Sequence, residues 1–386
     1  MMIHHSSENY DIAASRAARA ARDKLNVLIE RGRTRAAAVL DAVETQRPKD
    51  LLVTADELAF EPDEARAGEI VVVPDRDTPM PLHRHALGQV ADKAGLPRTY
   101  LARLLDPEHR AFGPELLSHN LTRLFREGRA VSDSDDPSDT FLLRSLQLST
   151  ERNEVRGFVS SRFRRLDSRP IVAAFASACQ RVGAVPVEGY ALDTKIAIKA
   201  ILTKIYEPIA NEVMVFGMAL ENSDYGNGAL QVSFFALRLA CTNGMLLEKS
   251  LRKVHLGARL TGDVVWSART LAAETEAVAG AVHDLVTRRL NDRHVAVLED
   301  GIRRAHGEKI EPAKAQDFLK KHMLKSEAEA VVAAFNSPDV ENMPAGQTRW
   351  RLAQAVSWIA GKTEDEERRL DLMRIAGNLV PVAEAA

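Results

Sequence analysis

The chain has 386 residues, of which 45% are hydrophobic, so it is long enough for two or three globular units with apolar cores. Its 52 basic and 54 acidic residues give a formal net charge of -2, which excludes a uniformly basic protein that coats nucleic acid, so an electrostatic partner must bind a local patch. The sequence has no apolar run near the ~20 residues that span a bilayer and no apolar signal core at its N-terminus, so we expect a cytoplasmic protein with no membrane partner.

The N-terminal segment, residues 1–47, is predicted to be helical. From Asp11 to about Glu44 the sequence is rich in alanine, and arginines recur every three residues from Arg16 to Arg22. This pattern predicts one or two helices with a basic stripe, which would form an appendage or a cap.

Residues 48–130 are predicted to form a small mixed domain. Two β patterns, LLVTADELAF and the run Ile70–Pro74, precede a helical pattern from about Leu82 to Glu127. The polar, turn-rich stretch VSDSDDPSD follows at positions 131–139, and we place a domain boundary there.

Within this domain, the segment QVADKAGLPRTYLARLL, from Gln89 to Leu105, resembles a helix-turn-helix. Gly95 permits a left-handed turn between two helices, and the second helix would expose Arg98 and Arg103 together with Thr99. An ordinary αα-hairpin packed on a core has the same pattern, so both interpretations stay open.

Residues 140–260 are predicted to form an α+β core built on an antiparallel sheet. TFLLRSLQLST and EVRGFVSSRF, separated by the tight polar sequence ERN, predict a β-hairpin, and IVAAFASACQRV predicts a helix that ends at Gly183. VPVEGYALDT, KIAIKAILTKIY and VMVFGMALENS then predict a three-strand meander. LQVSFFALRLACTNGM fits both the strand and the helix period, so it stays undecided, and residues 261–386 are predicted to be a helical C-terminal region.

Two basic segments suggest an anion-binding surface. SSRFRRLDSR places four arginines between Arg162 and Arg169, just before a helix, and KSLRKVHLGAR adds further cations downstream. Guanidinium groups this close repel one another unless anions neutralise them, and phosphate suits their forked geometry. A solvated face with local salt bridges is the alternative interpretation.

The loop NSDYGNG, from Asn222 to Gly228, concentrates small polar residues after a strand. A tight turn requires the same residue types, so a structural role is one interpretation. The other is a divalent-metal site for phosphoryl chemistry, in which oxygen atoms of Asp193, Asp224 and Asn243 would join those of Asn222.

Motifs of the common nucleotide-binding and hydrolytic sites are absent from the sequence. It has no GxGxxG, GxxxxGKS/T, GxSxG or HExxH, and its cysteines and histidines lack metal-ligand spacing. We therefore expect no cofactor, and a binding protein is favoured over an enzyme.

The segment NSDYGNGALQVSFFALRLACTNGM resembles the central signature of the family called "domain of unknown function 932", found in prophages and plasmids. VSSRFRRLDSRPIV is similar to that family's Ser-x-Arg-aromatic segment, with Phe163 in place of the expected tyrosine, and GQTRWRLAQAVSWIAG resembles its helical end. The resemblance covers residues 140 to 360 and implies a mobile-element context but no activity.

The predicted order of a helix, a three-strand antiparallel meander and a further helix also resembles the core of single-strand annealing proteins of the RecT and Red-beta superfamily. This likeness concerns the order of elements alone, and a fold does not imply a function. It implies a nucleic-acid backbone lying along a basic sheet, with assembly into a ring or filament that would extend the groove.

The leading functional hypothesis is a mobile-element protein that binds single-stranded DNA, with annealing in recombination as its role and a homo-oligomer as its form. The alternatives are the metal-dependent enzyme and a helix-turn-helix regulator that binds duplex DNA. The residues expected to contact nucleic acid, through charge or base stacking, are Arg162, Phe163, Arg164, Arg165, Arg169, Tyr225, Arg238, Lys249, Arg252 and Lys253.

Overall fold

The computed structural model describes residues 16–74, 78–109, 111–127, 140–150, 152–210, 212–239, 243–253, 255, 266–337, 340 and 343–382. The predicted linker at 131–139 lies outside these residues. The fold is mixed α+β with antiparallel sheets, which confirms the predicted fold class.

The N-terminal helix, α1 (Arg16–Thr45), is a single continuous element. It packs along the edge strand β7 (Ala184–Ala191) of the largest sheet. The approach is so close that a Cβ atom on Gly32 would lie 2.2 Å from the Cα atom of Val187, so the crossing requires glycine. The helix therefore covers a sheet edge that would otherwise be open to another chain.

The first hydrophobic core is built from short strands and three helices. The elements are β1 (Lys49–Thr54), β2 (Leu58–Pro62), β3 (Ile70–Pro74), β4 (Met80–Pro81), α2 (Arg84–Lys93), α3 (Arg98–Leu104) and α4 (Gly113–Arg126). Strands β2, β3 and β4 form one three-stranded sheet, and α4 packs against β2.

The predicted hairpin is confirmed as β5 (Thr140–Gln147) and β6 (Asn153–Ser160). It pairs with β1 in a sheet of order β1-β5-β6, and its side chains Phe141 and Phe158 belong to the first core. The hairpin therefore does not join the central sheet as expected, and the predicted 140–260 unit is divided between two cores. The reason is the long-range pairing of β1 with β5, which bridges the stretch where the boundary was placed.

The second core surrounds a five-stranded antiparallel sheet. After helix α5 (Ser168–Arg181), the strands are β7, β8 (Ile196–Leu202), β9 (Met214–Asn222), β10 (Leu230–Arg238) and β11 (Asn243–Lys253). Their order, β11-β10-β9-β8-β7, follows the chain, so the expected three-strand meander is lengthened to five strands. The undecided segment begins as strand β10 and not as a helix.

The C-terminal region is helical over its described length, as predicted. Its helices are α6 (Ala268–Arg289), α7 (Asp292–Gly307), α8 (Pro312–His322), α9 (Lys325–Asn336), α10 (Arg349–Lys362) and α11 (Glu366–Gly377). They share the hydrophobic core of the five-stranded sheet, and α10 and α11 pack on β11. Within the described ranges, none of the helices is long and apolar enough to cross a bilayer.

Candidate anion-binding surface and the adjoining cleft

The two basic segments predicted from the sequence meet in the structure. The backbone N–H of Arg164, in the loop between β6 and α5, donates a 2.8 Å hydrogen bond to the carbonyl oxygen of His255, just beyond β11. The Nδ1 atom of His255 donates back to the carbonyl oxygen of Arg164 at 2.7 Å. The rings of Phe163 and His255 stack with centroids 4.8 Å apart and planes 4° apart. This contact holds the two segments side by side at one end of the sheet.

Exposed positive charge at this junction comes from the end of β11. Arg252 and Lys253 lie opposite Gln231 and Leu230 of β10, and both side chains are exposed. Neither forms an ion pair with a residue that the structure describes. Arg162 is half-buried in the neighbouring loop. We call the surface formed by Arg162, Arg252 and Lys253 the junction surface.

The other arginines of the loop each contact a carboxylate. Arg164 pairs with Glu274 of α6, and Arg165 pairs with Asp50 of β1.

The Nε atom of Arg169 lies 2.8 Å from a carboxylate oxygen of Glu44, near the end of α1. The charges of Arg164 and Arg165 are thus balanced within the protein, whereas the pair of Arg169 is about half exposed, so its contact with nucleic acid stays a prediction.

The predicted base-stacking platforms are also wrong. Phe163 is only 6% exposed, since it packs with Leu142 and Val159 beneath the loop. Tyr225 is 5% exposed and lies against Gly157, where a Cβ atom would come within 3.1 Å of the tyrosine Cα. Neither ring can stack on a base without leaving the junction between the two cores.

Arg238 and Lys249 do not join the junction surface. Arg238 lies at the opposite end of β10, where its Nε and Nη2 atoms bind the two carboxylate oxygens of Glu212 at 2.5 and 2.7 Å. Both side chains are buried, so this bidentate pair is part of the core and the expected phosphate contact is wrong. Lys249 lies on β11 opposite Ser233, and its side chain is outside the described atoms.

Arg144, on β5, is the buried cation of the junction. It is 1% exposed, and its guanidinium group donates to Asp50 at 2.8 Å, to Asp167 at 2.7 Å and to the carbonyl oxygen of Asp224 at 2.6 Å. Burial alone would lower the pKa of Arg144, but the carboxylates of Asp167 and Asp50 more than offset this effect and raise it. The residue therefore stays charged and ties the first core to the loop after β9.

That loop, NSDYGNG, is fixed by side-chain hydrogen bonds. The hydroxyl of Ser223 donates to the carbonyl oxygen of Thr194 at 2.7 Å and accepts from the backbone N–H of Asn227 at 2.8 Å. Gly226 and Gly228 have φ angles of +79° and +106°, which favour glycine. The loop carries Asn222 and Asp224 to a cleft that is also lined by the last turn of α1, the start of α5 and the turn between β7 and β8.

The cleft contains three of the four residues proposed as metal ligands. Asp193, Asn222 and Asp224 line it, together with Ser168 and the last turn of α1. Asn243 does not, because it begins β11 at the opposite end of the sheet, opposite Arg238. The structure therefore does not assemble the predicted four-ligand set, and its described residues contain no group of three His, Cys, Asp or Glu side chains that could hold a metal ion.

Asp224 accepts hydrogen bonds from the N-terminus of helix α5, although the two are 56 residues apart along the chain. One of its carboxylate oxygens, Oδ1, accepts the backbone N–H of Ser168 at 2.8 Å and the hydroxyl of the same residue at 2.7 Å. Burial raises the pKa of Asp224 to about 6, although the Arg144 guanidinium acts in the opposite direction. The cleft thus contains a carboxyl group that titrates near neutral pH, where protein acids and bases most often work.

The helix-turn-helix segment forms two helices, α2 and α3, with Gly95 at a φ of +68° between them. Arg98 is engaged by Asp92 at 2.6 Å, whereas Thr99 and Arg103 are exposed on α3. Gln89 faces the junction, where its amide donates to the carbonyl oxygen of Tyr225 at 3.1 Å. Helix α2 therefore packs between the cores, as the αα-hairpin interpretation expects.

Two residues of this region had no predicted role. Arg144 is not among the predicted site residues, although its place within the apolar run Phe141–Leu146 is the signal of a buried, paired cation. Ser168, whose hydroxyl links Asp224 to Asn222, carries no such signal in the sequence.

Comparison with known proteins identifies no relative of this chain. The chain matches no family model, no curated protein and no solved structure. The resemblance to the "domain of unknown function 932" signature therefore stays a prediction from sequence motifs.

Proposed function

We propose that the protein binds single-stranded nucleic acid through the junction surface, along the sugar–phosphate backbone. The observation that supports this proposal is the reciprocal pair of hydrogen bonds between Arg164 and His255, which brings two basic segments together. Arg252 and Lys253 then extend from the sheet as exposed cations. Phosphate would neutralise them and release counterions, which favours binding.

The proposed contact involves fewer residues than the sequence predicted, and it includes no base stacking. Because Phe163 and Tyr225 are buried, stacking contributes nothing and the contact tolerates any base sequence. Two phosphate contacts per chain give a log–log salt slope of about -1.4 for a single strand, so each chain alone binds weakly. Several chains on one strand would gain avidity, which is the form that annealing on a mobile element would take.

Fluorescence anisotropy with labelled single- and double-stranded oligonucleotides, at about 50 and 200 mM salt, tests the proposal. The variant Arg252→Glu/Lys253→Glu should lose most of the affinity for the single strand. The matched control is Lys320→Glu/Lys321→Glu, which makes the same change of charge at exposed positions of α8. The control should bind like the wild type.

The proposal would be refuted if the wild type and both variants bound the single strand with equal affinity. It would also be refuted if the affinity were the same at both salt concentrations. A clear preference for duplex over single strand would instead favour the exposed face of α3, with Thr99 and Arg103, as the contact.

A further inference from the structure

The cleft beside the junction contains a buried acceptor without a donor. Asn222 is fully buried, and its Oδ1 atom accepts no hydrogen bond from any residue in the described part of the chain. A buried amide oxygen left without a partner costs about 1–3 kcal/mol in typical proteins. Asn222 also lines the cleft, so a donor bound in the cleft would lie beside this side chain.

The orientation of this amide follows from its neighbours. Its Nδ2 atom donates to the carbonyl oxygen of Leu166 at 2.8 Å and to the hydroxyl of Ser168 at 3.0 Å. A carbonyl oxygen can only accept, so exchanging the two amide atoms would place two acceptors against each other. Oδ1 is therefore the atom without a partner.

A second acceptor lies beside it. The Oδ1 atom of Asp224 is 3.5 Å from the Nδ2 atom of Asn222, so the two side-chain heads are adjacent. The other carboxylate oxygen of Asp224, Oδ2, receives no hydrogen bond from a described residue. Asp193, whose side chain is 67% exposed, adds a second carboxylate at the rim, where it lies near His83 and Arg156.

The cations near the cleft already have partners. Arg144 is held by Asp50 and Asp167, and Lys195 of the cleft wall lies 4.0 Å from the carboxylate of Glu221. The last turn of α1, which also lines the cleft, presents the carbonyl end of a helix. The cleft therefore offers unpaired acceptor atoms on Asn222 and Asp224.

We propose that this cleft binds a planar group that carries two adjacent N–H donors, one for Oδ1 of Asn222 and one for the carboxylate of Asp224. A guanidinium group has this geometry, and so does the Watson–Crick edge of guanine. The site uses none of the residues of the junction surface, so it stands independently of the proposed nucleic-acid binding.

Nuclear magnetic resonance of the isotope-labelled full chain tests this proposal. The two probes are methylguanidinium and guanosine, which distinguish a guanidino compound from a nucleobase as the source of the donors. The controls are tetramethylammonium, a cation without N–H, and inosine, which lacks the exocyclic amine. The expected result is saturable shifts confined to backbone amides around Ser168, Asn222 and Asp224 with at least one probe, in the millimolar range, and none with the controls.

Two variants separate the site from general charge effects. Asp224→Asn should weaken binding of the effective probe about tenfold, whereas Asp317→Asn, at an exposed position of α8, should not. Arg252→Glu/Lys253→Glu should leave probe binding unchanged, so loss of oligonucleotide binding and loss of probe binding can be told apart.

Shifts scattered over the surface, equal response to probes and controls, or unchanged binding by Asp224→Asn would overturn the proposal. Should Asp224→Asn fail to fold, the location of the shifts in the wild type decides alone.

Discussion

The Nη1 atom of Arg144 donates a 2.6 Å hydrogen bond to the backbone carbonyl oxygen of Asp224. The arginine belongs to a strand of the first core, and the aspartate to the loop that follows β9 of the second. Because the same guanidinium group also holds Asp50 and Asp167, one side chain joins four separate stretches of the chain. It acts together with the contacts of Gln89 and Gly157 with Tyr225 to hold the two cores in place.

Replacing Arg144 should lower the free energy of unfolding. Arg144→Met leaves the carboxylates of Asp50 and Asp167 without their buried partner, and breaking such a pair costs about 3–5 kcal/mol. Arg169→Met is the control, since its pair with Glu44 is about half exposed and is worth under about 1 kcal/mol. Urea unfolding of both variants measures the difference, and equal losses would contradict the structural role.

The close contact between Gly157 and Tyr225 leads to a second prediction, which concerns stability. A Cβ atom there would lie 3.0 Å from the carbonyl oxygen and 3.1 Å from the Cα of Tyr225, so Gly157→Val should destabilise the protein by about 1–3 kcal/mol. Gly280→Ala, inside α6 with no neighbour within 4 Å, should instead stabilise it by about 0.5–1 kcal/mol. Thermal unfolding would reveal the opposite signs, and a loss at both positions would be inconsistent with this packing.

Asp224 predicts a dependence of stability on pH. Its pKa is about 6 in the folded protein against 3.8 as the ordinary value, so between these pH values the folded state binds more protons than the unfolded state. The free energy of unfolding should therefore fall as pH rises from about 4 to 6, by about 2–3 kcal/mol from this group. Asp224→Asn lacks this titration, so the stability of the wild type relative to the variant should be higher at about pH 4.5 than at about pH 7. A constant difference would show that the carboxyl titrates normally.

The close packing of α1 on β7 leads to a fourth prediction, which concerns the rate at which α1 is cleaved by a protease. Gly32→Val should push the helix off the strand, since a Cβ atom at this position would lie 2.2 Å from the Cα of Val187. The matched control is Ala37→Val, which adds the same side chain at an exposed position of α1. Limited proteolysis should cleave α1 faster in the first variant only, and similar cleavage in both would argue against close docking.

Much of the fold was open to prediction because its elements carry local patterns. In and just before strand β8, Lys195, Ala197 and Lys199 alternate with isoleucines, and this alternation predicts a strand. The hairpin of β5 and β6 follows from its ERN turn. The segment of β10 stayed undecided because it is covered on both faces, and a strand buried on both sides loses its alternation. The assignment of the hairpin to the first core depends on pairing with β1, some 90 residues away, which no local pattern encodes.

The site was harder to predict for a similar reason. Counting charges along the sequence left the loop arginines in excess, but their carboxylate partners come from distant positions. Asp50 is 115 residues from Arg165, and Glu44 is 125 residues from Arg169. The two basic segments do meet at Arg164 and His255, whereas the neutralisation of the loop arginines is a property of the tertiary structure.

The docking of α1 has a consequence for synthesis of the chain. Its partner strand β7 begins roughly 140 residues after the helix ends, and at ~5–20 residues per second the ribosome takes about 7 to 28 seconds to make that stretch. During this interval the apolar side chains Leu25, Val39 and Val43, which are buried in the finished protein, have no strand to cover them. Until β7 leaves the exit tunnel, the newly made helix therefore has an uncovered apolar face.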